Sequence, residues 1–434
     1  MTLDQQTTNP LYPRMPAEYA PASTDVAQLI THRAPGRCLE APFYTSNEIF
    51  DLDMSAVFAK QWIFVASDAE LPEPGDFVTV EFGTYSIIVV RDDDDQVRAL
   101  HNVCRHRGAR IVDDARGSVG NLVCGYHKWT YGTDGTLLSA VAQRPDFDKA
   151  CFGLKSAHVR NVAGLIFICL ATEPPADFEE VADMIEPYIA PHQLRRTKIA
   201  AQVDLIEDGN WKLVIENNRE CYHCDGGHPE LSCSLFPTYG YAAAESPARL
   251  QPAFARYLSA DADLQRSCEE LVLPYLPIEE LDSRQTGFRI QREPLDGAGE
   301  SFSEYGHSVS DKLLGDFPTA RLGRLSMHYQ PNAWFHLLSD HAITFAVLPI
   351  APDKTLLRTT WLVHEDAVEG QDYDLEALTS VWRETNIQDQ AFVARAQLGV
   401  SSPAYEPGPY APSEYQVDAF CNWYIARLRE QVSS

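Results

Sequence analysis

Long apolar runs and basic residues are scarce in this chain, and each scarcity excludes a class of protein. The longest apolar run, Leu165–Leu170, is far shorter than the ~20 residues that cross a bilayer, and it predicts a buried strand. Lysine and arginine number 35 against 62 acidic residues, which gives a formal net charge of −27. Such a charge argues against nucleic acid and against anionic membrane surfaces as partners.

The cysteines do not follow the pattern of a disulfide framework. Ten cysteines occur among 434 residues, and residues 1–44 carry no apolar segment of the kind found in secretory signals. We therefore expect a cytoplasmic protein whose thiols are mostly free and buried. The polar, proline-bearing tract Thr2–Gly36 predicts an irregular N-terminal arm.

Hydrophobic periodicity changes along the chain. Helical spacing over 47–58 precedes alternating apolar residues that predict strands over 77–82 and 85–90. Later, a strand is predicted over 342–348 and a long amphipathic helix over 374–398. The first part of the chain therefore favours β-structure, and the second part favours a mixture of helices and strands.

These changes predict the domain organisation. Domains usually span roughly 100–200 residues, and Glu173-Pro174-Pro175 indicates a linker. The chain is expected to form an α+β protein with an arm at 1–44, a small antiparallel-β domain at 45–170 and a larger α+β domain at 171–434.

Two cysteine–histidine pairs are the most informative motif. The candidate ligands are Cys104, His106, Cys124 and His127. Each pair mixes one thiolate with one imidazole, as a [2Fe–2S] cluster with two thiolates on one iron and two imidazoles on the other requires. A zinc site is the alternative, although zinc fingers usually group their cysteines and their histidines separately. Gly108 and Gly125 would allow tight loops around the cluster.

A second group of possible ligands lies in the larger predicted domain. The segment Asn210–Glu220 has helical spacing, which would place Glu220 and His223 on one helix face. Gly226-Gly227 would break the helix just before His228, so that His228 could turn back toward His223. Two imidazoles presented in this way can occupy two coordination positions of one metal.

A remote carboxylate is predicted to complete this site. Asp389 is the single carboxylate on a helical stripe whose other members are Trp382, Thr385, Phe392, Val393 and Ala396. A buried ionised carboxylate is costly unless it is paired or binds a metal. A metal-ligand role would resolve that conflict, and the alternative is an exposed aspartate or one paired with Arg383 or Arg395.

The same region allows two other interpretations. Cys221, His223, Cys224 and His228 could hold zinc, and Cys221-x-x-Cys224 resembles a redox motif. Both are disfavoured, because residues 221, 223 and 224 would point in different directions on a helix. In addition, no strand precedes the cysteine pair as it does in thioredoxin-like units.

These motifs resemble those of the Rieske-type non-haem iron oxygenases over nearly the whole chain. The superfamily motifs are Asn102–Gly108, Cys124–Tyr131 and Asn210–Lys212. The resemblance is closest to the quaternary-amine group, which includes glycine betaine monooxygenase, stachydrine demethylase and carnitine monooxygenase. The residues that favour this group are Glu216–Cys224, Trp361–His364, Asp389 and Ser402–Tyr410.

The resemblance implies a fold, cofactors and partners. It implies an antiparallel-β Rieske domain carrying the [2Fe–2S] cluster and a helix-grip (START-like) domain in which His223, His228 and Asp389 bind mononuclear Fe(II). It further implies a homotrimer of oxygenase alpha subunits and a separate NAD(P)H-dependent reductase with flavin and a ferredoxin-type centre. Glu220 occupies the position where many ring-hydroxylating relatives carry an aspartate that links the iron to a cluster histidine of the neighbouring subunit. By this resemblance, Glu220 and His127 would carry electrons between subunits.

The predicted function is O₂-dependent N-demethylation of a quaternary ammonium compound, with glycine betaine as the leading candidate and dimethylglycine and formaldehyde as products. Aromatic faces usually hold a trimethylammonium group. Four aromatic residues are either such faces or core strand residues: Tyr329, Trp334, Phe335 and Phe345. The alternative enzyme function is ring or alkyl hydroxylation of an aromatic or other carboxylic acid. A pure electron carrier would have no use for Glu220, His223, His228 and Asp389.

Overall fold

The computed structural model describes residues 25–238, 240 and 246–432. Its α-helices are α1 (Val26–His32), α2 (Pro42–Thr45), α3 (Asn47–Leu52), α4 (Phe178–Ile189), α5 (Trp211–Asn218), α6 (Cys224–Gly227), α7 (Gln251–Glu270), α8 (Leu375–Val400) and α9 (Tyr415–Val432). A π-helical segment, Asp53–Phe58, continues α3. Short 3₁₀ turns lie at Asp68–Glu70, Lys149–Phe152, Ala190–His192, Leu194–Arg196, Leu231–Cys233, Ala248–Leu250 and Pro412–Glu414.

The strands form antiparallel sheets. They are β1 (Ile63–Ser67), β2 (Asp76–Phe82), β3 (Tyr85–Arg91), β4 (Val97–His101), β5 (Arg116–Ser118), β6 (Leu122–Val123), β7 (Thr130–Tyr131), β8 (Leu137–Ser139), β9 (Ser156–Val162), β10 (Leu165–Cys169), β11 (Thr197–Glu207), β12 (Ile278–Glu280), β13 (Phe288–Glu293), β14 (Arg324–Tyr329), β15 (Ala333–Leu337), β16 (Ala342–Ala351) and β17 (Lys354–His364). The sheet orders are β1-β10-β9-β4-β3-β2-β5, β11-β17-β16-β15-β14-β13-β12 and β6-β7-β8.

The first part of the chain forms a small β structure. The predicted strand over 77–82 is part of β2, which pairs with β3 in a hairpin whose turn contains Gly83 at φ +51°. The apolar run Leu165–Leu170 forms the buried strand β10 apart from its last residue. The small sheet β6-β7-β8 follows the first cysteine–histidine pair and contains the second between β6 and β7.

The second part combines a seven-stranded antiparallel sheet with helices. Strands β12 to β16 each pair with the next strand in sequence, and β11 pairs with β17 at one edge of the sheet. The predicted helix over 374–398 is α8, in which Asp374 caps the N-terminus by accepting a hydrogen bond from the Ala377 amide. Helix α5 contacts α8, β16 and β17. The helix that carries Asp389 and the helix that precedes the histidine segment therefore lie near the same sheet.

Three local predictions need correction. The described part of the Thr2–Gly36 tract, which begins at residue 25, contains helix α1 rather than irregular chain. Helix α5 ends at Asn218, so Glu220 and His223 lie in a bend between two helices and not on one helix face. The expectation of mostly free and buried thiols has exceptions: Cys221 and Cys224 form a disulfide, and the free thiols of Cys151 and Cys233 are exposed.

A buried ion pair anchors the start of α5. Lys212 Nζ lies 2.5 Å from Asp53 Oδ2, and both side chains are fully buried. The Asp53 carboxylate also accepts hydrogen bonds from the Trp211 indole at 2.9 Å and the Tyr424 hydroxyl at 2.6 Å. A buried carboxylate with this many donors has its charge compensated. One side chain thus joins α5 to the N-terminal helices and to α9.

No helix among the described residues is both long enough and apolar enough to span a membrane.

Replacing Asp53 with alanine is expected to lower the free energy of unfolding by about 3–5 kcal/mol, because Lys212 would stay buried without its counter-ion. Guanidinium unfolding followed by tryptophan fluorescence measures this change. The exposed pair between Lys354 and Asp208 provides the control, and Asp208→Ala should change the same quantity by less than about 1 kcal/mol. Equal effects of the two substitutions would contradict this account of Asp53.

Candidate metal centres and substrate cavity

The two cysteine–histidine loops have the same backbone pattern. In the first loop the Gly108 amide donates to the Cys104 carbonyl and the Cys104 amide donates to the Ala109 carbonyl. In the second loop the Lys128 amide donates to the Cys124 carbonyl and the Cys124 amide donates to the Trp129 carbonyl. The fourth residue after each cysteine has positive φ, +74° at Gly108 and +58° at Lys128. The tight turn of the second loop therefore occurs at Lys128 and not at Gly125.

These loops bury the cysteines and place the histidines toward the surface. Cys104 and Cys124 are 3% and 1% exposed and form no disulfide. The His106 and His127 rings lie 4.5 Å apart between centroids, and His127 is exposed. His106 Nδ1 is buried without a hydrogen-bond partner. Two buried free thiols in one hydrophobic cluster and two adjacent imidazoles on the same two loops provide the donor set of a Rieske cluster.

The structure brings His223, His228 and Asp389 together. Asp389 Oδ1 lies 3.3 Å from His223 Nε2 and 3.0 Å from His228 Nε2. The two rings are 5.0 Å apart between centroids. Asp389 makes no ion pair with Arg383, which binds Glu376 and Glu384 instead. One carboxylate oxygen and two imidazole nitrogens thus converge on one point, as a facial triad for Fe(II) requires.

Neighbouring side chains hold the outer nitrogens of both histidines. His223 Nδ1 lies 2.5 Å from Glu220 Oε1, and His228 Nδ1 lies 2.8 Å from Gln388 Oε1. Gln388 in turn donates to Glu230 at 2.7 Å. Metal-binding histidines usually donate their second ring N–H in this way, which fixes the ring orientation and leaves Nε2 for the metal.

The electrostatics of this site favour a bound cation. Burial lowers the pKa of His223, but Asp389 and Glu220 outweigh it and raise that pKa to about 9. Burial raises the pKa of Asp389, but hydrogen bonds from His223 and His228 outweigh it and hold that pKa below its usual value. A metal ion would displace the protons and supply the positive charge that these carboxylates attract. The donor set therefore fits iron.

Two glycines allow α8 to approach the histidine segment closely. A Cβ atom at Gly227 would lie 2.9 Å from the Phe392 ring, and one at Gly209 would lie 2.4 Å from a methyl group of Val393. Both contacts are shorter than side chains tolerate, so larger residues would push α8 away. Since Asp389 lies one turn before Phe392 and Val393 on α8, this close packing sets its distance from the histidines.

Cys224 is a further possible ligand by position. Its Sγ lies within 4.8 Å of the ligand atoms of His223 and His228. However, this sulfur is bonded to Cys221 and is not a free thiolate. Zinc and iron bind the thiolate form of cysteine, so Asp389 is the better third ligand.

A cavity of about 330 Å³ extends from these ligands to the polar faces of β13 and β14. Its wall includes residues that the sequence interpretation missed: Arg219, Phe236, Tyr257, Arg289, Glu293, Arg324, His328 and His336. Trp382 also lines it and stacks on His336 with 4.6 Å between ring centroids. No sequence signal distinguishes those of them that lie on strands, because the alternation of apolar and polar residues predicts which side chains are buried but not which element they pack against.

The four aromatic residues considered from the sequence are core residues. Trp334 and Phe345 stack on each other with 4.8 Å between centroids. Tyr329 and Phe335 are fully buried in a second hydrophobic cluster. Among the residues that the structure describes, these four are absent from the cavity wall.

Comparison with known families agrees with this geometry. Residues 61–159 match the Rieske [2Fe-2S] domain, and residues 194–430 match the ring hydroxylating alpha subunit (catalytic domain). The chain belongs to the Rieske non-haem iron oxygenases. A Rieske [2Fe–2S] cluster and mononuclear iron are therefore its cofactors, as predicted, and the α+β fold class with its two kinds of domain is confirmed.

Relatives of this oxygenase chain include proteins of known activity. It is 40% identical to the glycine betaine monooxygenase oxygenase subunit of Chromohalobacter salexigens over 96% of this chain and 92% of that one. It is also 40% identical to the protein of that name from Pseudomonas aeruginosa, over 94% of this chain and 93% of that one. The carnitine monooxygenase oxygenase subunit of Acinetobacter pittii is 33% identical over 49% of this chain and 58% of its own.

A solved structure confirms the fold of the oxygenase chain. The quaternary ammonium Rieske monooxygenase CntA in complex with gamma-butyrobetaine superposes with a TM-score of 0.66, covering 92% of this chain and 98% of that one. The sequence identity is 20%, so this likeness concerns the fold alone. The domain limits at residues 44 and 170 stay predictions.

Replacing His228 with alanine is expected to remove most of the mononuclear iron while leaving the cluster, because the two donor sets lie in separate parts of the chain. Iron analysis together with the visible absorption of the cluster measures both centres in one sample. His307→Ala is the control, since the His307 side chain is 70% exposed and does not line the cavity. Full iron occupancy in the His228 variant would show that this histidine is not a ligand.

Proposed function

We propose that this oxygenase N-demethylates a carboxylated quaternary ammonium compound, with glycine betaine as the leading candidate substrate. The principal support is the 40% identity to glycine betaine monooxygenase oxygenase subunits over nearly the full chain. The reaction would combine substrate, O₂, two electrons and two protons to give water and a hydroxymethyl ammonium compound. Cleavage of its C–N bond, with loss of the hydroxyl proton, would then release formaldehyde and the tertiary amine, which takes up a proton at neutral pH.

In this proposal each metal centre has its own ligands. Cys104, His106, Cys124 and His127 hold the cluster, and His223, His228 and Asp389 hold the iron. The cluster supplies electrons and the iron supplies O₂ activation. The protein's own contribution is to orient both imidazoles through Glu220 and Gln388 and to place the N-methyl group beside the iron site.

The cavity supports a substrate with a permanent positive charge. Trp382 and Tyr257 line it, and aromatic rings attract a cation without requiring hydrogen bonds. Asp389 and Glu220 place negative charge at the iron end of the same cavity. A quaternary ammonium group near the iron would therefore have favourable surroundings.

Electron transfer between subunits of a homotrimer is the proposed route from cluster to iron. His127 is exposed, and apolar side chains on the same loops and small sheet are exposed with it: Val103, Val123, Tyr126 and Leu138. Such an apolar surface around a redox centre suits contact with another protein. We propose that the neighbouring subunit's segment at Glu220 docks there.

The remaining proposed partners follow the family. A separate NAD(P)H-dependent reductase with flavin and a ferredoxin-type centre would reduce the cluster. The excess of acidic residues, 62 against 35 basic ones, suits a reductase with a basic docking face. A cytoplasmic location is part of the proposal, since nicotinamide cofactors and reductases are found there.

Substrate-dependent formaldehyde release tests the function. With a reductase supplied, the enzyme should release formaldehyde from glycine betaine and release it more slowly from dimethylglycine. The product, a protonated tertiary amine, binds water more tightly and suits an aromatic pocket less well. Hydroxylation of an aromatic acid, with no formaldehyde from any of betaine, carnitine or choline, would replace this proposal with the ring-hydroxylating alternative.

Glu220→Gln is expected to keep the cluster and the iron but to slow electron transfer between them severely. A glutamine oxygen can still accept the hydrogen bond from His223 Nδ1, whereas the negative charge is lost. Single-turnover oxidation of the reduced cluster measures the transfer rate. As a control, Glu230→Gln alters a carboxylate that touches Gln388 rather than a histidine. Cluster oxidation at the wild-type rate in the Glu220 variant would leave that residue a purely structural role.

A further inference from the structure

The cavity wall has an uneven distribution of charge. Asp389 and Glu220 lie at the iron end, whereas three arginines and one glutamate line the rest: Arg219, Arg289, Arg324 and Glu293. His328 and His336 add no positive charge near neutral pH, because burial above all lowers the pKa of both well below the usual value. Apart from Asp389 and Glu220, the cavity wall therefore carries more positive than negative charge.

Glu293 compensates only part of this positive charge. Its carboxylate lies 2.9 Å from Arg324. Against the effect of burial, the charge of Glu293 also raises the pKa of Arg289. Arg289 Nε lies 3.6 Å from a carboxylate oxygen of Glu279 at the edge of the sheet. Among the described residues, no carboxylate forms an ion pair with Arg219, although that side chain is 1% exposed.

The hydrogen bonds of Arg219 do not replace a counter-ion. Its guanidinium donates to the Asn218 side chain at 2.7 Å and to the carbonyls of Tyr329 and Ala333 at 3.4 and 3.3 Å. Its Nε atom is buried without a partner. Burial lowers the pKa of Arg219 to about 9, so the group is still charged at neutral pH. A buried charge without a counter-ion is costly even when it is partly hydrogen-bonded, and an anionic ligand would reduce that cost.

Burial without a carboxylate does not by itself identify a ligand site. Arg292 is also 1% exposed, has two nitrogens without partners and bonds only to the Leu322 carbonyl. Arg292, however, does not line the cavity, whereas Arg219 does. Arg219 also directly precedes Glu220, which contacts the iron-site histidine His223. Arg219 and the iron ligands therefore line the same cavity.

We propose that Arg219 binds the carboxylate of the quaternary ammonium substrate. This inference rests on the proposed function, because it concerns the orientation of a zwitterion in the same cavity. The ammonium end would lie toward Asp389 and Glu220, and the carboxylate end toward the guanidinium. A charge-assisted, bidentate contact of this kind both strengthens binding and fixes orientation. The enzyme would then prefer betaines over uncharged esters and over choline.

The test compares glycine betaine with its methyl ester, which keeps the trimethylammonium group but lacks the negative charge. Arg219→Gln should raise KM for glycine betaine by about 30-fold or more, since truncating one partner of a buried charge pair is costly. It should leave kcat/KM for the ester nearly unchanged. Isothermal titration of both compounds into the holoenzyme provides a readout that is independent of turnover.

Control variants separate ligand binding from folding. Arg292→Gln removes an equally buried arginine outside the cavity and should not change the preference for the carboxylate. Arg219→Lys keeps the charge and should retain part of that preference. If Arg219→Gln does not fold, Arg219→Lys decides, because a lysine cannot make the bidentate contact and should lower the preference for glycine betaine over the ester. An unchanged preference in that variant would contradict the proposal.

Two outcomes would overturn the proposal while leaving the demethylase function intact. The first is an equal loss for glycine betaine and its ester in Arg219→Gln. The second is a loss of carboxylate preference in Arg289→Gln and not in the Arg219 variant, which would assign the carboxylate to Arg289. Absence of formaldehyde from every quaternary amine in the wild type would instead reject the proposed function itself.

Discussion

The buried carboxylate of Asp53 is the contact on which the position of the iron site depends. It receives Lys212 and Trp211 from the first turn of α5 and Tyr424 from α9. The residue before this turn, Asn210, caps the helix and donates its own amide to Gln397 of α8 at 2.9 Å. The start of α5 is therefore held by the N-terminal helices, by α9 and by α8. Its other end leads directly into the segment that carries Glu220 and His223.

Close packing of α8 fixes the position of the third candidate ligand, Asp389, relative to the two histidines. The helix presents Asp389 to both histidines, and the preceding residue, Gln388, binds the outer nitrogen of His228. The tolerance for error is small, because metal–ligand distances vary by only about 0.2 Å. Gly209 and Gly227 allow their backbone segments to lie close to α8, since a side chain at either position would collide with a residue of that helix. Backbone contact, and not only the ligands themselves, thus defines the geometry of the triad.

The cavity joins two regions of opposite charge. Its iron end contains carboxylates that a metal cation neutralises in part, and its sheet end contains arginines of which Glu293 compensates only some. A low-dielectric cavity strengthens both fields relative to water. A zwitterion aligned with these fields has favourable electrostatic interactions at both of its charged groups. A simple cation is attracted by the carboxylates but repelled by the arginines. Electrostatics and aromatic contact together are consistent with the betaine-type relatives.

Local sequence determined the cluster motif, the histidine pair and most of the long elements. A cysteine and a histidine only a few residues apart must lie close together, whatever the rest of the chain does. The apolar stripe of the segment that forms α8 likewise predicts a helix from local sequence alone. Tertiary structure alone decided the break after Asn218, the pairing of Gln388 with His228, and the cavity residues on β13 and β14. The Gln388–His228 contact joins residues 160 positions apart, and the cavity wall combines strands, helices and loops that are remote in sequence. The sequence does not separate Arg219 from Arg292, and only the packed structure shows that Arg219 lines the cavity whereas Arg292 does not.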